Sequence, residues 1–237
     1  MSKQNTIKVY DGPSLIDGQR IIVLLTGLAT ASTNDKTGDM LQTWIMRYGI
    51  APHEAVKTGD DVSVCGQCPL RRVHYKELNV SKKPCYVLTF QAPRSTWVAN
   101  RDLEVTESET VQSLIAGRKV RRGSYGDPNA VPIAVWTMLD NGERPTGYTH
   151  QWETGANLSA YVMASVHSAT ERTAAKSKGY RTFRMIADVA DVRDGEILCP
   201  ASKEAGHLTK CFKCGLCNGS KGTNDKRKDV AIVAHGG

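Results

Sequence analysis

The chain has no apolar run long enough to span a bilayer. Its longest, residues 21–25, stops at Thr26 and Gly27, far short of the roughly 20 residues that a membrane helix needs. The opening residues, MSKQNTIKVYDG, hold no hydrophobic signal core, so the expectation is a cytoplasmic protein with no membrane partner. There is no internal repeat, no low-complexity tract, and no composition break sharp enough to cut the chain in two. The common catalytic signatures are missing too: no G-x-S-x-G, no H-E-x-x-H, no Walker A and no G-x-G-x-x-G. Gly27-Leu-Ala-Thr-Ala follows a strand-like run, yet it lacks the glycine spacing of a dinucleotide turn.

What is present is an ordinary globular composition with an unusual set of thiols. At 237 residues, 40% hydrophobic and 23% charged, the chain can bury a core without covalent staples. It carries seven cysteines. In a reducing cytosol these read as metal ligands, and an odd number suits disulfides poorly. Net charge is +7, concentrated in Arg71-Arg72, Lys82-Lys83, Arg118-Lys119 with Arg121-Arg122, and Lys226-Arg227-Lys228. Three of these four runs lie inside or just beyond the cysteine segments. A solvated face explains such runs equally well, but together they outline a footprint for a phosphate backbone.

Apolar strand-like runs alternate with helix-like stretches. Residues 21–29 read as a buried strand. Residues 36–47 read as a helix, with Met40, Leu41, Trp44 and Ile45 at helical spacing. Helices are expected over 91–103, 108–116 and 130–139, and strands over 119–125 and 146–152. The clearest unit is 158–186: a strand, a Ser168-x-x-Glu171 capping box, a helix stopped by Gly179, and a second strand. This order predicts a single α/β domain over 1–237, built on a parallel sheet or partial (β/α) barrel, with cysteine-rich metal-binding loops inserted near 65–85 and 199–217.

Ligands of such sheets bind beyond the C-terminal strand ends. Reading each strand to its end brings Asn34, Asp35, Tyr125, Asp127, His150, Ser165, His167, Cys199 and His235 to one rim. Asp127, His150, His167 and His235 are the candidates for proton transfer or substrate contact. Asp127 stands in Ser-Tyr-Gly-Asp-Pro, where an Asx turn ahead of Pro128 is an equally natural role.

The C-terminal thiols follow the pattern Cys199-x11-Cys211-x2-Cys214-x2-Cys217. Structural zinc usually takes two separated Cys-x2-Cys knuckles. Three cysteines at i, i+3 and i+6 instead match the Cys-x2-Cys-x2-Cys run that wraps a ferredoxin cubane. The other group, Cys65-x2-Cys68 with Cys85, offers only three thiols. It is a zinc site completed by His53 or His74, a cluster with one open iron, or a group that shares ligands with the first.

The segments 32–44 (SxNxKTGxMxQTW), 65–71 (CGxCPxR), 85–97 (CYVxxxQAPxxxW), 147–152 (GYTHQW), 163–166 (MASV), 180–184 (YRTFR), 199–204 (CPASxE), 211–219 (CxxCGLCxG) and 234–236 (AHG) resemble a family of cysteine-rich bacteriophage proteins of unassigned function. The resemblance covers most of the chain. A looser similarity links it to the phage gene product eighty-eight family, and the strand–helix order with a thiol cluster at the rim is similar to radical-SAM partial barrels. The Cys-x3-Cys-x2-Cys loop of the last group is absent here.

Two functions follow as expectations. One is an iron–sulfur enzyme with one or two [4Fe–4S] clusters held by Cys65, Cys68, Cys85, Cys199, Cys211, Cys214 and Cys217. It would work on nucleic acid or a nucleotide in a phage-infected bacterial cytoplasm and grip phosphate through Arg71, Arg72, Arg121, Arg122, Lys226, Arg227 and Lys228. The other is a non-enzymatic module, stapled by zinc or a cluster, that binds nucleic acid or a host protein.

Overall fold

The structure is a computed structural model that describes residues 4–77 and 85–234. His235, Lys82 and Lys83 lie outside the described residues. The elements in order are β1 (Thr6–Pro13), β2 (Arg20–Thr26), β3 (Leu41–Arg47), α1 (Pro52–Thr58), α2 (Val62–Cys65), α3 (Arg72–Glu77), α4 (Ala92–Asn100) and α5 (Ser108–Ile115). There follow β4 (Val120–Tyr125), α6 (Ile133–Met138), β5 (Thr146–Thr149), β6 (Met163–Val166), α7 (Ala169–Ser177), β7 (Thr182–Ile186), β8 (Glu196–Leu198), α8 (Cys211–Cys214) and β9 (Asp229–Val233).

One nine-stranded sheet runs through the chain in the order β1-β2-β3-β4-β5-β6-β7-β9-β8. β1, β2 and β3 form an antiparallel meander, and every pairing from β3 onward is parallel. The α/β expectation holds at this level. No described helix is long and apolar enough to cross a membrane.

The expected helix over 36–47 is instead β3. Leu41 through Met46 pair with β2 on one side and β4 on the other, and all but Trp44 are buried. A short run buried on both faces shows no usable period, and flanking tertiary pairing decides its state. Other expected elements change in detail. Residues 158–162 form turns, so only Met163–Val166 is strand. The stretch 130–139 is split by Pro132 into a 3₁₀ turn at Pro128–Ala130 and α6. At α7 the Ser168 hydroxyl accepts from Glu171 N as expected, but the Glu171 carboxylate reaches back to His167 N at 2.6 Å, one residue before the cap.

Register assigns the two faces. Residues opposite one another in a ladder share a face, and the face alternates along each strand. Arg122, Thr149, Ala164, Val166, Thr182 and Ala231 therefore face the main core, where α7 packs. Arg121, Thr146, Tyr148, Met163, Phe183, Val230 and Ile232 face the other way.

Candidate metal centres and strand-end site

The loop between β8 and β9 folds over that second face. Cys199, Cys211, Cys214 and Cys217 together line one cavity of about 120 Å³, floored by Thr146, Tyr148, Phe183, Val230 and Ile232. The loop is held in place by backbone contacts: Gly147 N donates to Cys217 O at 3.0 Å, Cys199 N donates to Ala231 O at 2.8 Å, and Ser220 N donates to Ser159 O at 2.6 Å. Gly215 stands after Cys214 at φ 59° and ends α8, which lets the chain turn back between the second and third sulfur of the run.

Burial pushes the Cys217 thiol up to about 12, and the Cys199 and Cys211 thiols up as well. The charges of Arg121 and Lys36 pull Cys211 back down. Buried, metal-free thiols of this kind stay protonated until a cation compensates the thiolates.

The first thiol group lies elsewhere, at the C-terminal ends of the strands. Cys65, Cys68 and Cys85 line a separate cavity of about 40 Å³ together with Asp61, Arg71, Arg72 and Tyr125. No described residue lines both cavities, and neither His53 nor His74 is among the described residues that line the three-thiol cavity. Burial raises Cys65 far above a normal thiol and Cys68 to about 12.

The knuckle Cys65–Cys68 is clamped from below by the buried pair Arg71–Asp61 at 2.7 Å, with Arg71 also donating to Gly66 O and Gly59 O. It is clamped from the sheet by Gln151, whose Nε2 donates to Cys65 O and whose Oε1 accepts from Gln67 N. Asp127 N adds a bond to Val64 O at 2.6 Å.

His150 and His167 follow β5 and β6 and stack, with ring centroids 5.4 Å apart and planes 17° apart. Burial lowers both, His150 to about 3, and the His150 and His167 Nε2 atoms are buried without a hydrogen-bond partner among the described residues. These two ring nitrogens are thus left unsatisfied inside the fold.

Asp127 is not. Its carboxylate accepts from Asn129 N, Thr149 Oγ1 and His150 N. It is the Asx cap of Pro128–Ala130 and holds the end of β4 to that of β5, so it positions the rim. Asn34 and Asp35 move off this rim altogether: they follow β2, which runs against the parallel strands, and Lys36 O meets Phe212 N in the other thiol loop.

The basic set also divides. Arg71 is consumed by Asp61. Arg122 is 2% exposed, lies on the core face and donates to Tyr161 O, and burial lowers it to about 10. Arg227 binds Asp225, Gly219 O and Asn218. None of these three is a free phosphate contact. Lys226 and Lys228 are exposed, and Arg121 stands beside the C-terminal thiols.

Gln151 and Asp61 are the site residues that sequence reasoning passes over, while Tyr125, placed on the rim by strand reading, is given no role there. A Gln two residues past a strand and an Asp ahead of a Cys carry no pattern of their own; only Arg71, two residues after Cys-Pro, hints at an anion close by.

Among the described residues no three or more His, Cys, Asp or Glu side chains converge on a point that would seat a single metal ion. The four C-terminal thiols line one cavity of about 120 Å³ and supply the donor number that either a cubane or a tetrahedral ion would take. The three-thiol set would leave a fourth position to a ligand other than cysteine. Comparison with protein-family models, with curated proteins and with solved structures finds no match.

Proposed function

We propose that this protein is an iron–sulfur metalloprotein, with one [4Fe–4S] cluster held by Cys199, Cys211, Cys214 and Cys217 and a second by Cys65, Cys68 and Cys85, and that it is an enzyme acting on nucleic acid or a nucleotide at the C-terminal strand ends. The observation that carries this reading is the segregation of the seven thiols into two separate cavities, each lined by every member of one group. When bound, the clusters supply one-electron redox chemistry, and the three-thiol cluster adds a metal position open to a ligand.

The chain's own residues divide the remaining work. Gln151, Asp61 with Arg71, and the Asp127 backbone hold the Cys65–Cys68 turn against the sheet. His150 and His167 present unpartnered imidazole nitrogens at the same strand ends and are the groups that would hold a proton or orient a substrate. Lys36 and Arg121 offset negative charge at the four-thiol site. Exposed Lys226 and Lys228 supply phosphate attraction.

Anaerobic purification with iron, sulfide and zinc analysis tests this directly. A brown protein with about eight irons per chain is expected from two four-iron clusters. A colourless protein with stoichiometric zinc and no iron overturns the reading in favour of a zinc-stapled binding module.

A further inference from the structure

Tyr125 closes β4 and is 4% exposed, and its hydroxyl is buried with no hydrogen-bond partner among the described residues. Leaving such a group unpaired costs about 1–3 kcal/mol, so native proteins seldom do so without something to fill the gap. The gap here adjoins the thiols. Tyr125 lines the cavity of Cys65, Cys68 and Cys85, and burial raises its hydroxyl well above the ordinary tyrosine value.

Its place is tightly determined. Tyr125 sits opposite Trp44 in the β3–β4 ladder. The next residue, Gly126, has φ 83°, and a Cβ there would come within 2.6 Å of Ile45 Cβ, so the chain passes β3 with no room to spare. Two residues on, Asp127 N binds Val64 O beside Cys65. The phenol and the thiol loop are thus fixed to one turn.

On the same cavity wall Asp61 and Arg71 are committed to each other, while Arg72 shares the wall and its Nε is likewise buried without a partner among the described residues. His53 and His74 are not on that wall.

We infer that the Tyr125 hydroxyl is the hydrogen-bond donor to the anionic acceptor bound among Cys65, Cys68 and Cys85, facing the position that no cysteine fills. The acceptor is an inorganic sulfide of the cluster or an oxygen atom of a small carboxylate ligand on the uncommitted iron. Either makes Tyr125 a positioning and tuning residue of that site. This rests on the proposed function, because it needs iron at the three thiols.

Tyr125→Phe tests it, since only the oxygen is removed. In metal-free protein the urea midpoint should hold or rise, because an unpaired buried hydroxyl contributes nothing. A clear fall means that the hydroxyl has a protein partner, and it overturns the inference. In anaerobically reconstituted protein, iron content should stay at the wild-type value.

If the acceptor is sulfide, the three-thiol cluster should reduce at a lower potential in the variant, with or without citrate, because a hydrogen bond to sulfur raises the potential. If the acceptor is a carboxylate, the citrate-induced change in the visible and EPR spectra should disappear while the ligand-free potential stays put. The C-terminal cluster, whose cavity Tyr125 does not line, is the internal control. Loss of iron in the variant makes Tyr125 a ligand and overturns the donor role, as does an unchanged potential with an unchanged citrate response. Wild-type protein that takes no iron at these thiols sinks the proposed function itself, a result distinct from all of these.

Discussion

His150 and Asp127 pull in opposite directions over one pH window. Burial drops His150 from 6.5 to about 3, so the unfolded chain takes up the proton first as pH falls below 6.5, and folded stability declines with it. The reverse holds for Asp127, raised by burial from 3.8 to about 6: the folded chain binds its proton first, so this group's contribution is largest at acid pH and is lost as pH rises through 6. From pH 7 to 5 the first effect amounts to roughly 2 kcal/mol of loss and the second to roughly 1 kcal/mol of gain. Thermal melts of metal-free protein at pH 7 and pH 5 should therefore show a modest acid loss in the wild type, a smaller one in His150→Gln and a larger one in Asp127→Asn. Equal slopes in all three would mean that these side chains are solvated. Arg71 makes a second residue-scale case. Arg71→Ala strands the Asp61 carboxylate, 2% exposed, and should cost about 3–5 kcal/mol in denaturant unfolding.

Among elements, the decisive contact is the one between the end of β5 and the Cys65–Cys68 turn. Gln151 reaches both sides of that turn, and Gly66 leaves the space that its amide occupies. A Cβ on Gly66 would stand 2.4 Å from Gln151 Cδ, and the φ of 54° disfavours any side chain there. Gln151→Ala removes two hydrogen bonds and should cost about 1–3 kcal/mol. It should also release iron from the three-thiol site faster than from the C-terminal one when a chelator is added. Equal release rates would show that the clamp is incidental to the metal. The 36–47 stretch teaches the same lesson about elements. Its apolar residues suit either period, and pairing to β2 and β4 settles the matter as strand.

For the molecule as a whole, the C-terminal thiol loop is a lid on one face of the sheet, so its metal should also be part of its stability. Ser substitutions at Cys211, Cys214 and Cys217 should remove metal from that site and lower soluble yield, because binding energy at such a site is also folding energy. A triple variant that stays folded with full metal content would overturn the assignment. The same loop ends in Lys226 and Lys228, both exposed. If they neutralise phosphates of duplex DNA, replacing both with Gln should flatten the plot of log K against log salt by roughly 0.9 for each phosphate left unneutralised. Arg227, tied to Asp225, should add little to that slope.

Spacing along the chain already grouped Cys211, Cys214 and Cys217, since Cys-x2-Cys-x2-Cys is a local pattern and local turns bring such residues together, whereas the fold placed Cys199 with them and Cys85 with Cys65 and Cys68. Gly179, the Ser168 cap and the β6–α7–β7 unit were legible for the same reason: caps and stops act within a few residues. The fate of the basic residues was not. Arg71, Arg122 and Arg227 read like the basic residues beside them, and only the folded chain buries the first two against Asp61 and Tyr161 and ties the third to Asp225. Nor was the direction of β2 visible in its composition, which is why Asn34 and Asp35 belong to the opposite end of the sheet from His150 and His167. Tyr125 is the sharpest instance. A tyrosine ending a strand is unremarkable in sequence, and its unpaired hydroxyl beside three thiols exists only because β3, β4 and the Cys65 turn, far apart in the chain, close around one small space.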